Sequence, residues 1–132
     1  MKKLWSKFWK SSIQSRKQRK YTFNAPLHIR HKLMGAPLSK ELRSEYKIRT
    51  VPVRTGDTVR VKAGQFKGKI GKITSVSLFH LKVHIEGVLI KRNDGTEAMY
   101  PVNPSNLEIL KLDLSDKRRH DKLEAIKKNG KQ

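Results

Sequence analysis

Two stretches in the middle of the chain alternate cleanly between apolar and polar residues. Val59 and Val61 are separated by Arg60 and followed by Lys62, and Leu81, Val83 and Ile85 are interleaved with Lys82, His84 and Glu86. Successive side chains of a strand point to opposite faces, so each run predicts a strand with one buried face. Ile70, Ile73 and Val76 lead into a further extended stretch, and Val88 to Ile90 runs into Asn93-Asp94-Gly95, a hairpin turn signal. The segments AMYPV (98–102) and LEILKL (107–112) supply two more short strands around NPSN (103–106). About five short strands in roughly 60 residues, with no helical period between them, predict a mainly β fold built on a small barrel that protects its own edges. We read it as an SH3-like barrel.

Helical patterns flank this region. In LSKELRSEYK, Ser39 is placed to cap a helix on which Leu42 and Tyr46 share a face. In LSDKRRHDKLEAIKKNG, Ser115 or Asp116 can cap the start and Gly130 can stop the end. Asp116 in the first turn and Lys127 and Lys128 in the last match the helix dipole. The apolar face of this second helix is thin, essentially Leu123 and Ile126, which predicts a surface helix leaning on a partner. Three segments follow: a basic extension with a short helix over 1–50, the barrel over 51–110, and a basic C-terminal helix and tail over 111–132.

Composition sharpens the picture. Of 132 residues, 36% are hydrophobic and 32% charged, which allows one compact domain with a modest core. There is no cysteine, so disulfide staples and thiolate metal sites are excluded, as fits a reducing compartment. No apolar run approaches the roughly 20 residues of a membrane span. Lys and Arg total 31 against 11 acids, a net charge of +20. A protein this lopsided repels itself unless a polyanion neutralises it, and nucleic acid leads an anionic membrane surface as that partner. The charge is concentrated. Residues 1–40 hold eleven Lys or Arg and no acid, whereas 51–110 hold nine basic and five acidic residues.

The segment RTGDTVRVKAGQFKGKIGKI (54–73) puts glycines and lysines together, as phosphate-binding loops do. A Walker loop needs four residues between its glycines, a Ser or Thr after the lysine, and a helix to follow. Here three residues separate Gly64 from Gly68, Ile70 follows Lys69, and a strand follows. Nucleotide hydrolysis is therefore excluded. A β-turn explains the glycines, since tight turns need positive φ. It does not explain why Lys62, Lys67, Lys69 and Lys72 crowd one connection. Like charges that close gain only when an anion lies between them, and the phosphate backbone of a folded RNA is the fitting anion.

The stretch GDTVRVKAGQFKGKIGKITSV (56–76) resembles a KOW motif, with its Gly-Asp opening, alternating valines, and Lys67-Gly68 ahead of a strand containing Gly71. KOW motifs occur in ribosomal proteins and in transcription elongation factors. The flanks narrow the choice. KQRKYTFNAPLHIRHKLMGAPLSKELRSEYKIRTVPVRTGDTVRV (17–61) and NPSNLEILKLDLSDKRR (103–119) resemble the archaeal and eukaryotic branch of the universal large-subunit ribosomal protein twenty-four family, called twenty-six in eukaryotes. The likeness spans about residues 16–120; where the family often has His-Pro-Ser-Lys, this chain has Asn103-Pro104-Ser105-Asn106. The resemblance implies an SH3-like barrel bound to the 5′ region of large-subunit ribosomal RNA. It also implies early assembly, a place near the nascent-chain tunnel exit among neighbouring large-subunit proteins, and a cytoplasmic, ribosome-bound location. A KOW-domain transcription elongation factor or another RNA-binding adaptor is the alternative. Such factors carry an α/β domain ahead of the motif, for which residues 1–50 are too short and too basic.

The arm SRKQRKYTFNAPLHIRHK (15–32) mixes cations and rings, and Asn24-Ala25-Pro26 interrupts it. Such an arm is expected to fold only against its partner. Candidate RNA contacts are Arg16, Lys17, Arg19, Lys20, His28, Arg30, His31 and Lys32 in the arm, with Tyr21 and Phe23 stacking on unpaired bases. Arg54, Lys62, Lys67, Gly68, Lys69 and Lys72 complete the set. Leu4, Trp5, Phe8, Trp9 and Ile13 follow helical spacing among lysines, so Trp5, Phe8 and Trp9 are expected to dock in a crevice of RNA or of a neighbouring protein rather than on a membrane. His28/His31 and His80/His84 have metal-compatible spacing but no further ligands to complete a set, and no acid–base or nucleophile pattern surrounds Asp57, Glu86 or Glu97. Neither cofactor nor catalysis is expected, and Asp57 beside Gly56 is read as a turn-former.

Overall fold

A computed structural model describes residues 3–129. The chain begins with a 3-10 turn, Lys7–Ser11, and helices α1 (Ser15–Phe23) and α2 (Leu27–Leu33). Strand β1 (Gly35–Pro37), helix α3 (Lys40–Tyr46) and strand β2 (Thr50–Pro52) follow. The centre holds β3 (Thr58–Val61), β4 (Ile70–Ser77), β5 (Lys82–Ile85), β6 (Leu89–Lys91) and β7 (Glu97–Met99). A second 3-10 turn, Pro104–Asn106, leads to β8 (Leu107–Lys111) and helix α4 (Lys117–Asn129). Gly130, the expected helix stop, lies outside the described residues. This is a small mainly β fold with helical ends.

One four-stranded antiparallel sheet, ordered β5-β4-β3-β8, organises the molecule, and β1-β2 and β6-β7 form two-stranded ribbons against it. Val59 faces Ile109 on one neighbour and Gly71 on the other. The alternation of β3 and β5 therefore does what period two demands: Val59, Val61, Val83 and Ile85 are buried while Arg60 and Lys62 are exposed. The same rule explains why Ile70 points outward at 59% exposure although Ile73 is buried at 3%. A register shift between Ile73 and Ser75 resets the alternation, so that half-buried Val76 packs on the core again. Glycine at 71 lets the sheet close. A Cβ there would lie 2.5 Å from the Glu86 carbonyl oxygen and 2.9 Å from Ile85 Cγ2.

The core extends beyond these strands. Met34, Ala36 and Leu38 join it from the N-terminal side, and Leu38 bridges to Ile109 in parallel fashion. The stretch before residue 50, expected to carry one short helix, carries three. Ser39 caps α3 as its sequence predicts, its Oγ accepting from Leu42 N–H at 3.4 Å, and Tyr46 is buried on the shared face with Leu42.

Of the two residues expected to cap the last helix, Asp116 does so, accepting from Arg118 N–H at 3.0 Å. Contrary to expectation, the apolar face of this helix packs into the chain's own core, where Leu123 is 4% exposed, and Arg119 is 9% exposed. Arg119 reaches across the sheet to Asp57, which is fully buried. Its Nη1 donates to Asp57 Oδ1 at 2.6 Å and its Nη2 to Oδ2 at 2.7 Å. The same carboxylate accepts Arg54 N–H at 3.0 Å and Asp113 N–H at 2.9 Å, and Arg119 also donates to the carbonyls of Asp113 and Pro52. Asp57 thus shapes its turn, as read from sequence, and also holds the C-terminal segment. Two turns further along the same face of α4, Lys127 donates to Glu45 at 2.9 Å and lies 5.4 Å from the centre of the Tyr46 ring. The Glu45 hydrogen bond keeps the Lys127 ammonium above its ordinary pKa.

Candidate nucleic-acid interface

The connection between β3 and β4 is a tight reversal closed by backbone hydrogen bonds: Gly68 N–H donates to Val61 O at 2.8 Å and Lys69 N–H to Phe66 O at 3.1 Å. Gly68 has φ +90, and no atom lies within 4 Å of where its Cβ would be. Its glycine serves backbone conformation and leaves an open approach, rather than satisfying internal packing. Around it Lys62, Lys67, Lys69 and Lys72 are all exposed. Lys69 is partly held inside the chain, with Nζ donating to the Gly87 carbonyl at 3.2 Å and lying 5.0 Å from the Phe66 ring centre. The side chains of Lys62, Lys67 and Lys72 make no hydrogen bond or ion pair among the described residues. Arg54 instead pairs with Asp116, and its side-chain hydrogen bond is the main reason that the Asp116 carboxyl sits below its ordinary pKa.

The arm is helical within this chain. Arg16, Lys17 and Arg19 are exposed on α1, and Lys20 is half-buried with Nζ 5.1 Å from the Trp9 ring centre. Helix α1 starts without a side-chain cap and without an acid in its first turn. Arg16 and Lys17 therefore add positive charge to the positive end of the helix dipole, an arrangement that an anion relieves. His28, His31 and Lys32 are exposed on α2.

Two of the arm's candidate contacts, Tyr21 and Arg30, are engaged internally. Tyr21 is buried at 7% exposure and stacks on Trp5 with ring centres 5.4 Å apart, so its ring faces another part of the chain. Trp5 Nε1 donates to Tyr21 O at 3.1 Å. Arg30 is half-buried, donating through Nε to Ala25 O at 2.9 Å and through Nη2 to Phe23 O at 2.5 Å, which fixes the joint between α1 and α2. The described residues ahead of α1 also differ from a continuous amphipathic helix. Among them only a 3-10 turn forms, Trp5 and Trp9 fold back on α1, and Leu4, Phe8 and Ile13 are left exposed.

The described residues thus hold two groups of available cations, one on the β3–β4 turn and one on the α1–α2 arm. No hydrogen bond, ion pair or ring contact joins the two groups to each other. The arm meets the β-core through Phe23, whose ring lies edge-on to Phe79 at 5.9 Å, and through Arg30, 5.5 Å from the Phe79 ring centre. Phe79 escaped the sequence reading, and its neighbour His80 entered it only as half of a metal-compatible spacing with His84. An aromatic residue in the predicted turn between two strands was the available signal. That turn is strained: Leu81 has φ +53, a conformation costing an L-residue roughly 1–2 kcal/mol. No group of three or more potential metal ligands occurs among the described residues, and no described helix is long and apolar enough to cross a membrane.

Comparison with known proteins agrees with the geometry. Residues 12–126 match the model of the family described as ribosomal proteins L26 of eukaryotes and their archaeal L24 counterparts. The chain is 46% identical over 133 residues to the large ribosomal subunit protein uL24 of Nanoarchaeum equitans (strain Kin4-M), an alignment covering 96% of this chain and 90% of that protein. Both the extent of the family match and the identity across nearly the whole length lead to one assignment: the chain belongs to the eukaryotic L26 and archaeal L24 family of ribosomal proteins, a structural family of the large subunit and not one of enzymes.

Proposed function

We propose that this protein binds large-subunit ribosomal RNA as a shaped counter-ion, with the β3–β4 turn and the N-terminal arm as its two holds on the phosphate backbone. One observation carries the reading. Lys62, Lys67 and Lys72 surround a turn whose open glycine admits close approach, and the side chain of none of them is ion-paired within the described chain. Arg16, Lys17, Arg19 and Lys32 supply the second hold, with His28 and His31 beside them, and the uncapped N-terminus of α1 offers backbone N–H groups to the same kind of anion. Phosphate contacts of this sort fix position and carry no sequence information, which suits a protein that locks an RNA fold in place. By the family resemblance, the RNA is the 5′ region of the large-subunit rRNA, the protein joins early, and its place is near the tunnel exit.

Crosslinking in purified large subunits, mapped by sequencing the RNA, tests the assignment. Crosslinks from the β3–β4 turn are expected within the 5′ region; a map confined to other regions would overturn it. A triple variant, Lys67→Ala, Lys69→Ala and Lys72→Ala, should bind RNA more weakly, and its log affinity should fall less steeply with log salt, by about three in the slope. Its thermal melting should match the parent, because all three side chains are exposed. Unchanged affinity would remove the turn from the interface.

A further inference from the structure

The C-terminal end of α1 and the β4–β5 turn enclose a shallow cleft of about 840 Å³, lined by Thr22, Phe23 and Asn24 on one side and Phe79, His80 and Leu81 on the other. We propose that this cleft captures one unstacked nucleobase of the bound RNA, an inference that rests on the RNA-binding reading above and names what the arm's inner side recognises.

Four observations carry it. Phe23 and Phe79 are 64% and 59% exposed, a large apolar surface left to water at a place where the chain has brought two rings together. The rings meet edge to face, and His80 meets Phe79 in the same way at 4.8 Å, so no two of them are stacked face to face. The cleft is also cationic. Arg19 and Lys20 line it, and the Arg30 guanidinium lies 5.5 Å from the Phe79 ring centre. An aromatic floor beside cations suits a base and its own phosphate, since every base has a π-face and stacking on a side chain tolerates any sequence. An apolar protein side chain would use the rings and leave the cations unmatched.

The turn is built to hold Phe79 out. Leu81 keeps its left-handed backbone while its side chain packs against the core, and His80 N–H lies 3.4 Å from Ser77 Oγ as donor. The ring is therefore presented from an anchored turn. Bulged and single-stranded nucleotides are the ones that can be splayed into such a site; bases inside a helix cannot reach it.

Two RNA duplexes differing at one position test this with the full chain: one carries a single bulged adenosine, the other an abasic residue at the same bulge. The protein should bind the adenosine probe about five- to a hundredfold more tightly than the abasic probe. Phe79→Leu should bring that ratio to within about twofold, the abasic probe serving as the reference for any general loss of affinity; a ratio that stays as in the parent would overturn the proposal. Equal affinity of the unmodified protein for both probes would overturn base capture yet leave RNA binding intact. Failure to bind either probe at low salt would sink the RNA-binding reading and this inference together. In assembled large subunits, a photoreactive benzoylphenylalanine at position 79 should crosslink to a nucleotide; crosslinking to a neighbouring protein instead would assign the cleft to that protein and overturn the proposal.

Discussion

Replacing Arg119 by methionine should lower the melting temperature by about 10 °C or more. The substitution keeps most of the side-chain volume, so the effect isolates the charge. Asp57 is fully buried and its carboxylate takes four hydrogen bonds, two of them from the Arg119 guanidinium. With the guanidinium gone, two backbone N–H groups remain to hold a charge that has left water. Breaking a buried pair from one side costs about 3–5 kcal/mol, because the orphaned ion stays in a poorly solvating site. For a chain of this size each kcal/mol corresponds to several degrees. The double variant Arg119→Met with Asp57→Asn should be more stable than Arg119→Met alone, since it removes the orphaned charge and keeps an acceptor. Differential scanning calorimetry reads both. A single variant melting within about 2 °C of the parent would show that the pair does not hold α4 to the sheet.

The second large effect is on RNA. If about eight phosphates are neutralised, log affinity should fall against log salt with a slope near −6 to −7, between the single-strand and duplex coefficients. Between 50 and 200 mM salt that is roughly a ten-thousandfold loss. The count is consistent with the available cations: three on the β3–β4 turn, with Lys69 partly engaged, and Arg16, Lys17, Arg19 and Lys32 on the arm. Filter binding of the full chain to large-subunit RNA across a salt series measures it. A slope shallower than about −2 would mean that the positive charge is not what holds the RNA.

What could be read from the sequence was whatever depends on near neighbours. The alternations at Val59–Val61 and Val83–Ile85 gave strands with the correct inner face, Asn93-Asp94-Gly95 gave the β6–β7 hairpin, and Ser39 gave a cap three residues before the N–H it accepts. The exposed lysines of the β3–β4 turn were likewise legible, because a charge beside a turn glycine has little choice but to face outward. Distant partners were not. Arg119 in a basic run looks like any solvated arginine, and only folding brings it to an aspartate 62 residues away. Tyr21 and Arg30 read as free RNA contacts for the same reason, since their partners Trp5, Phe23 and Ala25 are set by how the arm folds back on itself. Helices α1 and α2 were hidden by the scarcity of apolar positions in a stretch dominated by lysine and arginine.

The position of β8 has a consequence for how the protein is made. Synthesis proceeds from the N-terminus, yet β3 gains its second neighbour, and Leu38 its bridge, only when Leu107–Lys111 has been produced. Until then β3 presents an unpaired edge beside uncovered valines, the arrangement that invites pairing between copies. Long-range strand pairing of this kind is slow to form. Newly made molecules are therefore most exposed to self-association in the interval before Leu107–Lys111 pairs with β3.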